Sequence, residues 1–117
     1  MTQVERMVEM YITKAPEASL ELVCLFELMY RCHNCSLVSD SYYDSTCRRI
    51  LEMARTNPDI AGNWLFEKCE EGLSAGAPVM SESVEDYPED VQDMAHVIIG
   101  EGVEVWLAML ESDMVFS

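Results

Sequence analysis

The chain has 117 residues, 50% of them apolar and 25% charged, with 22 acids against seven Lys and Arg for a net charge of −15 at pH 7. That length suits one domain with a sizeable core and is short for two, while the apolar share, with two Trp, five Tyr and three Phe, excludes wholesale disorder. The sign of the charge argues against direct nucleic-acid or anionic-membrane binding, and no apolar run reaches the roughly 18 residues that a membrane-spanning helix needs.

The first ten residues, MTQVERMVEM, carry acids and a helical period where a signal peptide would place a basic and then an apolar region, so the expectation is an intracellular chain. Val4, Met7, Val8, Tyr11 and Ile12 recur at spacings of three and four and predict a helix with one apolar face. Thr2 and Glu5 have the spacing of a capping box, and the helix should stop before Ala15-Pro16, where proline disfavours continuation. From Pro16 to about His33 the chain is apolar on nearly every side, with Leu20, Leu22, Val23, Leu25, Phe26, Leu28 and Met29, which predicts the most buried helix.

NCSLVSDS, residues 34–41, has the composition of a connection, and Ser39, Asp40 or Ser41 can cap the next helix. Tyr43, Cys47, Ile50, Leu51 and Ala54 then recur at helical spacing until TNPD stops the run. Asn57 and Pro58 suit the N-cap and first position of a further helix, with Ile60, Trp64, Leu65, Cys69 and Leu73 mostly inward. GLSAGAPVMSESVEDY is rich in breakers and predicts a long loop. Pro88 can start the next helix, with Val91, Met94, Ala95 and Ile98 on one face and Glu89 and Asp90 in the first turn, where the helix dipole favours acids. Gly100 and Gly102 should break it. Val103, Trp106, Leu107, Leu110 and Met114 then mark one face of a last helix, although Val103 and Val105 also alternate like a strand.

Five cysteines are an odd number in a chain without a secretion signal, which favours reduced thiols over a disulfide framework. Cys32 and Cys35 form a C-x-x-C pair that can ligate zinc, with Cys24, Cys47 or His96 completing the set, or run redox chemistry. The second C-x-x-C or paired histidines of a zinc module are missing, as is the βαβ context of a thioredoxin-like motif. On a continuous helix Cys24 and Cys35 would fall about 20° apart on one apolar stripe, which also describes structural cysteines packing as small hydrophobes. His33 and His96 lack sequence-local partners for a catalytic triad. Carboxylate pairs carry no information among 22 acids, and neither GLSAG nor GEG has the strand, lysine and spacing of a phosphate-binding loop. The expectation is a protein with no enzymatic activity and no cofactor. The nine methionines suit gap-filling in a core, or an adaptable groove for a partner helix.

Residues 1–68 hold ten acids and seven bases, whereas residues 69–117 hold twelve acids and no base. The densest stretch, SESVEDYPEDVQD at 81–93, places six carboxylates in thirteen positions. It can be a solvated loop, a surface that steers a basic protein partner, or a mimic of DNA. Mimicry needs carboxylates spread over an extended surface, which concentration in one half fits less well than contact. The candidate partner-binding residues are Glu82, Glu85, Asp86, Glu89, Asp90 and Asp93, with Tyr87 as a rigid apolar anchor among them.

Asn63-Trp64 on a predicted helix, followed about forty residues later by Trp106 on another, resembles the arrangement in Bcl-2-like proteins, two of whose motifs centre on an Asn-Trp pair and a later tryptophan. The small poxvirus members are similar in being compact, all-helical, intracellular and enzyme-free. The resemblance implies antagonism of host apoptosis or inflammatory signalling through protein contacts. Leu65 and Phe66 stand where the family carries Gly-Arg, and residues 20–27, LELVCLFE, lack the Asp of a death motif, so the resemblance does not extend to ordinary death-motif binding.

The expected architecture is an all-α compact bundle of about six helices, one domain over residues 1–117 with a mobile acidic loop at 74–87. The expected function is a non-enzymatic protein–protein interaction module, cytoplasmic or nuclear, that inhibits a host apoptotic or inflammatory signalling or transcription protein through its acidic C-terminal half. The alternatives are a DNA-mimic inhibitor of a nucleic-acid-binding protein and a small zinc-binding protein using Cys32 and Cys35. A homodimer stays open.

Overall fold

The computed structural model describes residues 1–75 and 84–116, and these form an all-α bundle. α1 (Gln3–Lys14) opens on a reciprocal capping box, in which the Glu5 N–H donates to Thr2 Oγ1 at 3.1 Å and the Thr2 N–H donates to Glu5 Oε1 at 3.3 Å. A 3₁₀ turn over Pro16–Ala18 leads into α2 (Ser19–His33), which is buried without interruption from residue 22 to 29. α2 ends at Asn34, which takes the left-handed conformation at φ 52° that Asn tolerates better than most residues. The helix thus ends at His33, where the sequence places its end, and Cys35 in the connection that follows is off the helical stripe that carries Cys24.

α3 (Asp40–Ala54) is capped by Ser39, whose hydroxyl accepts the Tyr42 N–H at 3.2 Å. The helix predicted from Pro58 to Leu73 is divided into α4 (Pro58–Ala61), which Asn57 caps, and α5 (Trp64–Ala75). Gly62 and Asn63 interrupt it, and Asn63 Oδ1 accepts the Leu65 N–H at 2.8 Å, capping a second helix one residue later. This break puts Trp64 on the outside. It is 60% exposed while Leu65 and Phe66 are buried, which corrects its inward placement.

A 3₁₀ turn over Val84–Asp86 precedes α6 (Glu89–Glu101) and α7 (Val103–Phe116). Within the predicted loop 74–87, residues 76–83 lie outside the described residues. Its two ends are structured, since 74–75 belong to α5 and 84–86 to the 3₁₀ turn. Gly100 lies inside α6 rather than breaking it. Gly102 alone separates α6 from α7, at φ 102°, ψ 160°, a conformation that a side chain would strain.

α2 packs between α6 and α3, α7 lies against α6 and α1, and α3 also carries α4 and α5. α1 meets α3 through Glu9, whose carboxylate accepts from the Tyr42 hydroxyl at 2.8 Å and pairs with Arg49 at 2.6 Å. With α6 and α3 against it and Cys24 meeting Cys69 of α5, α2 can bury apolar residues on every side, and each fully buried Leu or Met there contributes about 1.5–3 kcal/mol of transfer free energy. Trp106 on α7 is the largest fully buried side chain. Met29 and Met114 are buried and Met7 and Met94 pack at the core edge, whereas Met1, Met10 and Met109 are exposed. No helix among the described residues is long and apolar enough to cross a membrane.

Candidate functional site

Pro88 positions the acidic surface. It ends the 3₁₀ turn and opens α6, so Glu89 and Asp90 fall in the first turn, where the helix dipole stabilises carboxylates. Glu85, Asp86, Glu89, Asp90 and Asp93 are all exposed; Glu82 lies outside the described residues. The surface continues onto α2 through Glu21, a half-buried carboxyl raised above its ordinary value by burial and then by the neighbouring Asp90. On α7, Glu104, Glu111 and Asp113 are exposed as well. Lys14 reaches the end of α7 and donates from Nζ to the Met114 carbonyl at 2.9 Å.

Tyr87 does not belong to that surface. Its ring is 3% exposed, within the core cluster, and its carbonyl accepts from Gln92 Nε2 at 2.8 Å. Burial is the main cause that pushes its phenol well above the ordinary range, followed by the negative charge of Glu27. The role of apolar anchor for a partner is therefore corrected: Tyr87 anchors the start of α6 to α2. The alternation of acids around it signals a surface, and only the packing of α6 on α2 turns this one residue inward.

The five cysteines are free thiols, three of them buried. Cys24 on α2 and Cys69 on α5 are fully buried with their sulfurs 3.9 Å apart, and Cys47 on α3 is buried too. Cys32 and Cys35 are half-buried and pack against the core. The contact with Cys69, with burial, holds the Cys24 thiol far above its ordinary value; burial raises Cys47 to about 11. Thiols kept protonated in this way are poor nucleophiles and poor metal ligands. Among the described residues no three His, Cys, Asp or Glu side chains stand together where they could hold a metal ion. His33 and His96 are exposed, on different helices.

A feature that periodicity does not reveal is a groove of about 390 Å³ between α2 and α3. Phe26, Glu27, Tyr30 and Arg31 of α2 form one wall, and Asp40, Tyr43 and Asp44 of α3 form the other. The connection closes one side with Ser36, Leu37 and Val38. Leu37 and Val38 are buried although they stand in a polar connection, and this apolar pair in NCSLVSDS is the local signal that the connection packs. Glu27 is 5% exposed and lies 3.7 Å from Arg31, one helical turn on. Burial pushes the Tyr43 phenol well above its ordinary value, with Cys47 and Glu27 adding to it. Among the described residues, no methionine lines this groove.

The described residues thus offer a solvated acidic face on α6, a sealed thiol cluster and an acid-lined groove. Comparisons of the chain with protein-family models, curated proteins and solved structures give no match.

Proposed function

We propose that the chain is a non-enzymatic interaction module that binds and inhibits a protein with a basic surface, steering it through the acids at the start of α6. The observation that carries this reading is the exposure of Glu85, Asp86, Glu89, Asp90 and Asp93 in a half-chain, residues 69–117, that contains no Lys or Arg. Such a field raises the encounter rate of a basic partner and repels polyanions. The resemblance to poxvirus Bcl-2-like antagonists supplies the partner class, a host apoptotic or inflammatory signalling or transcription protein.

The test is capture from cell lysate with the intact chain and with the E85Q, D86N, E89Q, D90N variant, followed by association kinetics with each protein identified. The intact chain is expected to associate faster at low salt and to lose about tenfold or more in rate as salt rises past physiological strength. The variant should associate slowly, with little salt dependence. Equal rates and equal salt slopes for the two proteins would remove the steering role. Displacement of the captured protein by duplex DNA would favour the DNA-mimic alternative.

A further inference from the structure

We infer that the groove between α2 and α3 is a docking site for an arginine side chain carried on an apolar segment of a partner protein. The inference deepens the interaction-module reading, and it supplies the short-range contact that the acidic face lacks once Tyr87 is buried.

The groove joins three kinds of wall that suit this occupant. Phe26, Leu37 and Val38 are apolar and buried, so they can cover the methylenes of a long side chain and the aliphatic residues beside it. Among the described residues, three carboxylates, Glu27, Asp40 and Asp44, and one guanidinium, Arg31, line the groove. Glu27 is paired with Arg31 at 3.7 Å, so the surplus is the two exposed carboxylates of the α3 wall, Asp40 and Asp44, which attract an entering cation. Tyr30 is 62% exposed at the groove, an aromatic face over which a guanidinium can stack. About 390 Å³ is at the lower end of the range for ligand pockets, roughly 300–1,000 Å³, which suits one long side chain and its flanks rather than a whole partner helix.

Arginine fits better than lysine. Its planar fork can take two carboxylate oxygens at once and stack on tyrosine, and it loses less hydration on entering an apolar site. The first turn of α3 contributes a partial positive charge to the same region, but the Ser39 hydroxyl caps one of its N–H groups and Asp40 sits in that turn. An acidic occupant would therefore meet like charges.

The experiment is an NMR titration of the full chain with a capped Ala-Leu-Arg-Leu-Ala peptide, with its citrulline and Glu counterparts as controls. Citrulline keeps the shape and removes the charge. Saturable shifts at the amides of Tyr30, Leu37 and Tyr43 are expected, with the citrulline peptide about tenfold weaker because the charge-assisted bonds are lost. The D40N, D44N variant changes only exposed side chains and should bind the arginine peptide about fivefold more weakly, and Tyr30→Ala about threefold more weakly. Thermal melts check that both variants are folded. The E85Q, D86N, E89Q, D90N variant should keep the same groove affinity at physiological salt, which separates this site from the steering face. Absence of saturation at about 1 mM peptide, equal binding of the citrulline peptide, tighter binding of the Glu peptide, or shifts centred on α6 would each overturn the inference.

Discussion

Tyr87 is the residue whose role changes most on folding. Its ring is 3% exposed, and its hydroxyl is buried without a hydrogen-bond partner among the described residues. A buried hydroxyl left unpaired costs about 1–3 kcal/mol, whereas the ring around it stabilises by burial. The two halves of the side chain therefore act in opposite directions. Tyr87→Phe should leave stability unchanged or raise it by up to about 1 kcal/mol, while Tyr87→Ala should cost about 3–5 kcal/mol through the cavity left under α6. Urea unfolding of both variants measures this, and a large loss in the Phe variant would mean that the hydroxyl is bonded. Glu5 shows the reverse case, a buried carboxylate that is fully engaged. The Ser39 N–H donates to its Oε2 at 2.8 Å, and this bond is the main cause that holds its carboxyl below the usual range.

Among the elements, α1 and α7 are joined end to end of the chain by two polar contacts, Tyr11 to Asp113 and Lys14 to the Met114 carbonyl. The hydrogen bond to Asp113 is the main cause that raises the Tyr11 phenol to about 12, with burial and the charge of Asp113 adding to it. The folded value lies above the unfolded one of about 10. The contact therefore contributes its full stability below pH of about 10 and loses it as pH rises towards about 12, because the unfolded chain releases the proton first. Tyr11→Phe should flatten the fall in stability over that window and leave the acid limb unaltered, as urea midpoints taken from pH 4 to 11 would show. An unchanged alkaline limb would place the titration elsewhere. The same scale explains Trp64: on a helix unbroken from Pro58 it would share a face with Ile60, four residues before, but the Gly62-Asn63 interruption restarts the helix and leaves the indole outside.

At the scale of the molecule, a net charge of −15 sits on a body of 35 × 31 × 26 Å. The Debye length is about 30 Å at 0.01 M salt and about 8 Å at 0.15 M, so the excess acids repel one another across the whole body at the lower strength and only between neighbours at the higher. The compact state gains from that screening more than the expanded one. The melting temperature should rise by about 5 °C between these two strengths, equivalent to about 1 kcal/mol for a domain of this size. The rise should be smaller in the E85Q, D86N, E89Q, D90N variant. A melting temperature that falls with salt would show that surface ion pairs such as Arg49–Glu9, at 2.6 Å, outweigh the repulsion. This self-repulsion and the proposed steering of a basic partner would be two effects of one charge distribution.

Helix identity and most helix starts were legible in the sequence because they depend on groups within one turn of each other. Thr2 with Glu5, Ser39 ahead of α3 and Asn57 before Pro58 make the caps that their spacing predicts. The all-round apolar run of α2 also announced its burial, since no other environment satisfies such a surface. Periodicity says which residues share a face, however, and not which neighbour covers that face. The inward turn of Tyr87, the approach of Cys24 to Cys69 and the packing of Leu37 and Val38 beside α2 and α3 all join residues from separate elements. The sequence by itself determined the helices and the charge asymmetry, because these are local or additive. Only the tertiary structure decided which acids face solvent, which tyrosine is buried and where a groove opens, because these depend on how separate elements pack on one another.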